Sequence, residues 1–319
     1  MHWKLKAAAQ NVLARLPHAW SHAAYYRLQR RYGGLRRVDP TSRFDAAIHA
    51  WRLIQQQGVD PRGKTFFELG TGRAVNVPTA YWLMGAARTI TVDLNRYLKP
   101  ELVQESLRYV AANHGRVAEQ FGGLIDRRRL ATAVAFGRQK RPRVEAFLRT
   151  AGIQYHAPAD AAATGLPAGS VDLHTSFTVL EHVPPDALPR IFAEAQRLLA
   201  PGGLLVHGID YSDHFSHGDP RITAVNFLRY TPAAWRRWSG NRYMYMNRLR
   251  HADYLRLMQA AGLPVLRQES VTNARALQAL TTGAVPVDPA YAGTPAEDLA
   301  KTSGWIVAAS QNVAARRAA

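Results

Sequence analysis

The stretch Phe66-Phe67-Glu68-Leu69-Gly70-Thr71-Gly72-Arg73-Ala74 decides the fold of this chain. A hydrophobic run ends at an acidic residue and continues into a turn that holds two glycines. Glycine lets the backbone approach a ligand closely, and the first N–H groups of the helix that follows face the same ligand. A nicotinamide-dinucleotide fingerprint would need a third glycine at position 75, which is Val75. The stretch therefore predicts a strand, a glycine turn and a helix around a ligand site of another kind.

Short strand-like runs alternate with helical stretches from Lys64 onward, and this pattern predicts parallel strands joined by crossover helices. The clearest helix has one apolar face and is predicted to end at Pro201-Gly202-Gly203. Its apolar face is formed by Leu188, Ile191, Phe192, Ala195, Leu198 and Leu199. The seven predicted strands are 64–69, 88–93, 152–156, 171–177, 203–209, 264–271 and 304–309.

The chain divides into a helical N-terminal extension, residues 1–63, and an α/β domain, residues 64–319. Two connections in this domain are longer than a crossover needs, and loops of this length usually carry function. The first, at about 94–151, is strongly basic, and the second, at about 210–263, is rich in aromatic and histidine residues. We expect the first helix to pack on its own domain, with contact to a membrane surface as the alternative.

The composition excludes several classes of site. The 319 residues include no cysteine, which rules out disulfides, thiolate zinc sites and cysteine nucleophiles. The net charge of +18 predicts attraction to phosphates, acidic glycans or anionic lipids. The alternative is that the arginines are solvated surface residues without a binding role. No apolar run reaches the roughly 18 residues of a membrane span, and no cleavable signal is evident at the start. We therefore expect a cytoplasmic protein.

Further acidic residues follow the next strands at regular spacing. Asp93 ends the second strand, about twenty residues past the glycines, where a carboxylate can accept hydrogen bonds from both hydroxyls of a ribose. A helix cap is the alternative for this side chain. Asp160-Ala161 follow the third strand, and Leu198-Leu199-Ala200-Pro201-Gly202-Gly203 precede the fifth. Over residues 64–209, these motifs resemble, in their order, the class I (Rossmann-like) S-adenosylmethionine-dependent methyltransferases, and in particular uncharacterised bacterial members of the type 11 group.

The resemblance implies a seven-stranded, mostly parallel, doubly wound sheet with an antiparallel last strand, and S-adenosylmethionine as the cofactor. Ala74 stands where this family has its third glycine. The segment 171–183 is similar to the fourth motif of the small-molecule branch, in which the strand end lines the methionine side of the cofactor. The cofactor-binding residues implied in this chain are Glu68, Gly70, Thr71, Gly72, Asp93, Leu94, Asp160, Ala161 and Phe177.

The segment Asp210–Pro220 leaves the carboxyl end of the predicted fifth strand, where open α/β sheets place their active sites. His214 and His217, with Asp210, Asp213 and Asp219 around them, could act as a general base or form a metal site, or could only cap turns or face solvent. His182, after the fourth strand, is a rival base. The predicted catalytic residues are His182, Asp210, His214 and His217, and no metal ligand is assigned.

The favoured hypothesis is methyl transfer to an oxygen of a small-molecule or glycan acceptor, with 210–263 as the acceptor lid. Many amino-directed nucleic-acid methyltransferases have an Asn/Asp-Pro-Pro-aromatic run at the fourth motif, and this chain has Ser176-Phe177-Thr178-Val179 there. An RNA acceptor, favoured by the net charge and the basic insertion, is the first alternative. A non-catalytic binding protein is the second. The lack of cysteine excludes carbon-5 pyrimidine methylation, which requires a thiolate adduct.

Overall fold

The computed structural model describes residues 2–310, without the side chains at positions 18 and 19. Its centre is a sheet whose seven strands lie close to the predicted ones. They are β1 (Thr65–Leu69), β2 (Arg88–Val92), β3 (Ile153–His156), β4 (Val171–Phe177), β5 (Leu199–Asp210), β6 (Val265–Thr272) and β7 (Lys301–Ala309).

The helices alternate with these strands and add three at the start of the chain. They are α1 (Trp3–Ala14), α2 (His18–Tyr32), α3 (Thr41–Gln55), α4 (Asn76–Met84), α5 (Pro100–Ala112), α6 (His114–Phe121), α7 (Arg127–Arg138), α8 (Val144–Thr150), α9 (Leu188–Leu198), α10 (Pro232–Ser239), α11 (His251–Ala260), α12 (Ala274–Thr281) and α13 (Ala296–Leu299). In the part of the chain that is described, no helix combines the length and the apolarity needed to cross a membrane.

The strand order is β3-β2-β1-β4-β5-β7-β6. The first five strands in this order are parallel, and β7 runs antiparallel to both of its neighbours. The predicted fold class, a doubly wound and mostly parallel sheet with an antiparallel last strand, is confirmed. Ligands of open α/β sheets bind beyond the carboxyl ends of the strands, next to the point where the strand order reverses. In this chain that point lies between β1 and β4.

Successive strand residues point to opposite faces of the sheet, and each face is covered by its own helices. Phe66 contributes to the core under α3 to α8, whereas the next residue, Phe67, packs with α9 and α11. The basic insertion 94–151 is therefore a set of helices packed on one face. The packing of α3 in the same core shows that the predicted helical extension also contributes to the sheet's own layers.

The prediction that Pro201-Gly202-Gly203 ends a helix was wrong. The helix ends at Leu198 and β5 begins at Leu199, which pairs with Val171. The pairing then shifts, because Leu173 lies opposite Leu204, and Gly202 takes a positive φ of +88°. The Pro-Gly-Gly run therefore forms an irregularity inside the strand, where proline and glycine are tolerated.

The first helix docks onto the second insertion, 210–263. The Trp3 backbone N–H donates to the Asp219 carboxylate at 2.9 Å. Trp3 and Ala7 are buried in a third apolar cluster with Phe215 and Trp235 of the insertion. The expectation that the start of the chain packs on its own domain is therefore met by one face of α1, although Val12 and Leu16 of the predicted apolar spacing are exposed.

Candidate active site

The turn after β1 has the geometry that its glycines predict. Gly70 and Gly72 have φ values of +86° and +69°, a region that favours glycine. A Cβ atom on Gly70 would lie 2.4 Å from the side chain of Val179, which follows β4, whereas one on Gly72 would meet nothing within 4 Å. The first glycine therefore allows two segments to approach each other, and the second leaves open space beside the backbone.

Glu68 lies beneath this turn with only 3 % of its surface exposed. The Thr91 hydroxyl donates to its carboxylate at 2.6 Å, and the Thr71 hydroxyl lies 2.5 Å from that of Thr91. Burial raises the pKa of Glu68 to about 8, although the bond from Thr91 offsets part of the effect. These three side chains connect the ends of β1 and β2 with the glycine turn.

Asp93 is half-buried beyond the end of β2. Its carboxylate accepts the Gly72 backbone N–H at 2.7 Å, and burial raises its pKa to about 7. The nearest following helix starts only at Pro100, so the alternative of a helix cap does not apply. Leu94, the next residue, has 69 % of its surface exposed and so leaves an apolar side chain open beside Asp93.

Asp160 and Ala161 lie in the loop after β3. This loop contacts the same region, because the Ala159 N–H donates to the Asp93 carbonyl at 2.9 Å. Asp160 is exposed and accepts the Ala162 N–H at 2.9 Å. Ala161 is half-buried against the core that includes Phe67. The predicted cofactor residues of β1, β2 and β3 thus share one edge of the sheet.

Phe177 and Thr178 close the same edge at the end of β4. The Phe177 ring stacks on Trp305 with a centroid separation of 5.6 Å, and the Arg43 guanidinium lies 5.0 Å from its centroid. Thr178 has a positive φ of +52°, which is uncommon for a β-branched residue. Its N–H donates to the Gly208 carbonyl and its hydroxyl accepts from Arg43, each at 2.8 Å. Strained residues of this kind cluster at functional sites.

The predicted catalytic residues come together on the other side of this strand end. The Asp210 carboxylate, at the end of β5, lies 3.5 Å from His214 Nε2 and 3.7 Å from His217 Nε2. The His182 and His214 rings have centroids 4.9 Å apart, and those of His214 and His217 are 5.3 Å apart. Ser212 joins the group, since its hydroxyl is 2.8 Å from His217 Nε2.

Burial and neighbouring charges shift the pKa values of the carboxylate and of two imidazoles in this group. Burial raises the pKa of Asp210, but hydrogen bonding and the charge of His214, together with Ser212, lower it overall. Desolvation lowers the pKa of His182, and repulsion from His214 adds to the effect. Desolvation likewise lowers the pKa of His217, and the Asp210 charge opposes this. An ionised carboxylate therefore lies beside the imidazoles of His182 and His217, whose lowered pKa values keep them neutral at pH 7 and able to accept a proton.

Asp213 and Asp219, which the sequence grouped with these histidines, have structural roles instead. Asp213 is fully buried and accepts the Phe215 N–H at 2.9 Å, which shapes the loop. Asp219 forms a two-point ion pair with Arg221 and accepts the Trp3 N–H. Neither carboxylate is an ion-pair partner of His214 or His217 among the described residues.

Sequence reasoning missed Glu181. It is 2 % exposed and follows β4 in the short helical turn Leu180–His182. Burial raises its pKa well above the usual value for a glutamate. The signal that could have identified it is its position, an acid directly before the predicted base His182.

Part of this chain is similar to a known protein family, and its fold is similar to solved structures. Residues 110–207 match the model of a family described as a methyltransferase domain; this range holds β3, β4 and most of β5 but not the glycine turn. No curated protein sequence matches the chain. Similar solved structures include geranyl diphosphate methyltransferase in complex with S-adenosylmethionine, which is 15% identical, with 83% of this chain and 85% of that chain covered and a TM-score of 0.45.

Two further solved structures are similar to this chain at comparable identity. An S-adenosylmethionine-dependent methyltransferase from Mesorhizobium loti is 15% identical, with 83% and 99% of the two chains covered and a TM-score of 0.42. A protein from Pyrococcus horikoshii OT3 is 12% identical, with 89% and 97% covered and a TM-score of 0.47.

Proposed function

We propose that this chain is a class I S-adenosylmethionine-dependent methyltransferase and that it methylates an oxygen atom of a small-molecule or glycan acceptor. The observation that supports this acceptor chemistry is the group formed by Asp210, His214, His217 and His182 beside the end of β4. Methylation of a hydroxyl requires that its proton be removed, and a neutral imidazole beside an ionised carboxylate is suited to accept it.

The cofactor site has both a carboxylate for the ribose of S-adenosylmethionine and open space for the rest of the molecule. In this proposal, the Asp93 carboxylate accepts both ribose hydroxyls and the open space beside Gly72 admits the cofactor backbone. The exposed Leu94 side chain covers one face of the adenine, with Asp160 and Ala161 at the edge of the ring. Phe177 lines the methionine side. The bound cofactor would supply a methyl group attached to a sulfonium sulfur. When the methyl group is transferred, the rest of the cofactor leaves as a neutral thioether.

The residues of the chain then have two tasks. The insertion 210–263, held by α1, positions the acceptor hydroxyl toward the end of β4 and excludes water. His217 accepts the hydroxyl proton, and the Asp210 charge, 3.7 Å from its Nε2, stabilises the imidazolium that forms. The oxygen gains the methyl carbon as it loses the proton, so no further group is needed to balance the reaction.

The first experiment is calorimetric titration of the purified protein with S-adenosylmethionine and S-adenosylhomocysteine, followed by a methyl-transfer screen. Glycans, small hydroxylated compounds and RNA are offered separately, and both methylated product and S-adenosylhomocysteine are measured. We expect micromolar cofactor binding and transfer to a hydroxylated non-nucleic acceptor. Transfer only to RNA would replace this proposal with the RNA alternative, and salt-sensitive RNA binding without transfer would reflect the net charge alone. No cofactor binding would favour a non-catalytic protein.

We further propose that the chain is cytoplasmic and that α1 and α2 contact anionic membrane surfaces. Residues 1–38 contain eight lysines and arginines and no acidic residue. Six of the nine large apolar side chains found exposed in the described residues lie in this segment: Leu5, Val12, Leu16, Trp20, Leu28 and Tyr32. A basic surface with exposed apolar side chains binds anionic lipid interfaces through both contributions.

Vesicle sedimentation tests this surface. The protein should bind vesicles that contain phosphatidylserine and not vesicles of phosphatidylcholine alone. Trp20→Ser, whose side chain is 76 % exposed, should weaken binding at least tenfold. Val271→Ser is the matched control, because Val271 is 59 % exposed on β6, outside this segment. Equal binding to both kinds of vesicle, or equal effects of the two variants, would contradict the proposal.

A further inference from the structure

We propose that Glu181, His182 and His214 form a binding site for a divalent first-row transition-metal ion on the acceptor side of the active site. Each of the three residues offers one ligand atom, and these atoms all lie within 4.8 Å of one another. The role of the ion in catalysis rests on the proposed function, whereas the existence of the site does not.

The strongest support is the state of the Glu181 carboxylate. The side chain is 2 % exposed, and neither carboxylate oxygen has a hydrogen-bond partner in good geometry; only the backbone N–H groups of Glu181 and Asp210 and the charge of Arg43 favour its ionised form. An unpaired buried carboxylate costs several kcal/mol by general estimates, so such groups are normally paired or coordinated to a metal. Protonation would not remove the problem, because the hydroxyl formed would need an acceptor. A cation between Glu181 and the two imidazoles would satisfy both oxygens.

His182 is held in the orientation that a metal ligand needs. Its Nδ1 lies 2.7 Å from the backbone carbonyl of Tyr245. A carbonyl only accepts hydrogen bonds, so Nδ1 carries the proton and the lone pair is on Nε2. Imidazoles that bind metals are commonly fixed in this way, by donation from the other ring nitrogen to a carbonyl or carboxylate.

His214 supplies the third ligand. Its Nε2 is buried, and its contact with the Asp210 carboxylate is a long one, at 3.5 Å. Asp210 is therefore placed beside the ligand set and can orient His214 or add a fourth oxygen ligand. His217 is not a member of the set and stays available as the proton acceptor.

The donor set indicates which ions fit. Two imidazoles and one carboxylate suit Zn²⁺, Mn²⁺, Fe²⁺ or Co²⁺ better than Mg²⁺, which prefers oxygen ligands and water. Three protein ligands leave coordination positions open, as in catalytic rather than structural sites. An acceptor oxygen bound there would lose its proton more readily, because a cation stabilises the oxyanion. The acceptor class that fits best therefore carries a metal-binding oxygen, such as a vicinal diol or a catechol-like hydroxyl.

Metal binding by the full-length protein, freed of metal with a chelator, tests the site directly. Co²⁺ is titrated and followed by its visible absorption, and Zn²⁺ is titrated by calorimetry, both without acceptor. We expect one ion per chain with micromolar or tighter affinity. Glu181→Gln, which keeps the shape of the side chain, and His214→Ala should each weaken binding at least tenfold. His217→Ala and the exposed distant His114→Ala are the controls and should bind nearly as the wild type does.

Two results would overturn the proposal. One is the absence of bound ion in a folded protein that still binds S-adenosylhomocysteine. The other is metal binding that Glu181→Gln and His214→Ala leave unchanged, which would place the ion elsewhere. A protein that binds the ion through these residues but transfers no methyl group to hydroxylated acceptors would leave the metal site standing and contradict the proposed function. Methyl transfer at full rate without bound metal would contradict the catalytic role of the ion and would leave both the proposed function and the metal site standing.

Discussion

The placement of the cofactor ribose on Asp93 can be tested through pH. Burial raises the pKa of this carboxyl to about 7, since the bond from the Gly72 N–H offsets only part of the lost hydration. Hydroxyl groups that donate to the carboxylate favour its ionised form, so binding of the cofactor should lower this pKa. The affinity of the wild-type protein for S-adenosylhomocysteine should therefore rise with pH through about 7 and level off above it.

The magnitude follows from this pKa. A carboxyl with a pKa of about 7 is ionised in roughly one molecule in eleven at pH 6 and in roughly ten in eleven at pH 8, which is about a tenfold change. Asp93→Asn keeps the size of the side chain and an oxygen for the Gly72 N–H, but it does not titrate. The ratio of the variant's dissociation constant to that of the wild type should therefore increase about tenfold from pH 6 to pH 8.

Calorimetric titrations at pH 6, 7 and 8 and constant ionic strength provide these ratios. Taking a ratio cancels the titration of the cofactor's own amino group, which both proteins encounter. Glu68→Gln is the matched control, because Glu68 is a second buried carboxyl of the site with a raised pKa, and this variant should keep the wild-type pH dependence. A ratio for Asp93→Asn that stays constant within twofold would refute the ribose placement.

Three further results are expected. The pKa of Glu68 is raised from 4.5 to about 8, so the fold should lose stability as pH rises through that range and Glu68 ionises. Relative to Glu68→Gln, the free energy of unfolding of the wild type should fall by about 4 kcal/mol between pH 5 and pH 9 in chemical denaturation, and parallel curves for the two proteins would contradict the shift. His214→Ala and His217→Ala should each lower turnover at least tenfold and change the cofactor dissociation constant less than twofold, whereas equal losses in both would indicate a structural role. Gly70→Ala should lower the free energy of unfolding by about 3 kcal/mol, because the new Cβ strains the backbone and clashes with Val179. Gly58→Ala, with a φ of +78° but open space around it, should lower it by about 1 kcal/mol. Equal losses for the two variants would refute the clash.

The sheet and the cofactor edge were predictable because their sequence signals are local. A strand that ends at Glu68, a glycine turn and a second strand that ends at Asp93 each depend on neighbouring residues. Parallel topology then brings the strand ends to one edge. The roles assigned to the cofactor residues stay predictions, as does the domain boundary at residue 64.

The contacts on the acceptor side could not be predicted, because they join distant segments. From the sequence alone, Glu181 resembles an ordinary surface acid. The fold buries it beside His214, which lies 33 positions later in the chain. Asp219 resembled a member of the histidine group, but its partner is the backbone of Trp3. The apolar spacing of the first helices predicted that they form. It could not show which of their faces would pack against the rest of the protein.

The bond between Trp3 and Asp219 joins positions 216 residues apart, and this separation affects how the chain is made. At translation rates of 5–20 residues per second, the partner of α1 is synthesised roughly 10 to 40 s after the helix itself. Throughout that interval the nascent chain carries a basic amphipathic helix with its tryptophan uncovered. The segment that forms α1 thus waits for a partner made much later, and the yield of folded protein should depend on chaperones that cover Trp3 during synthesis.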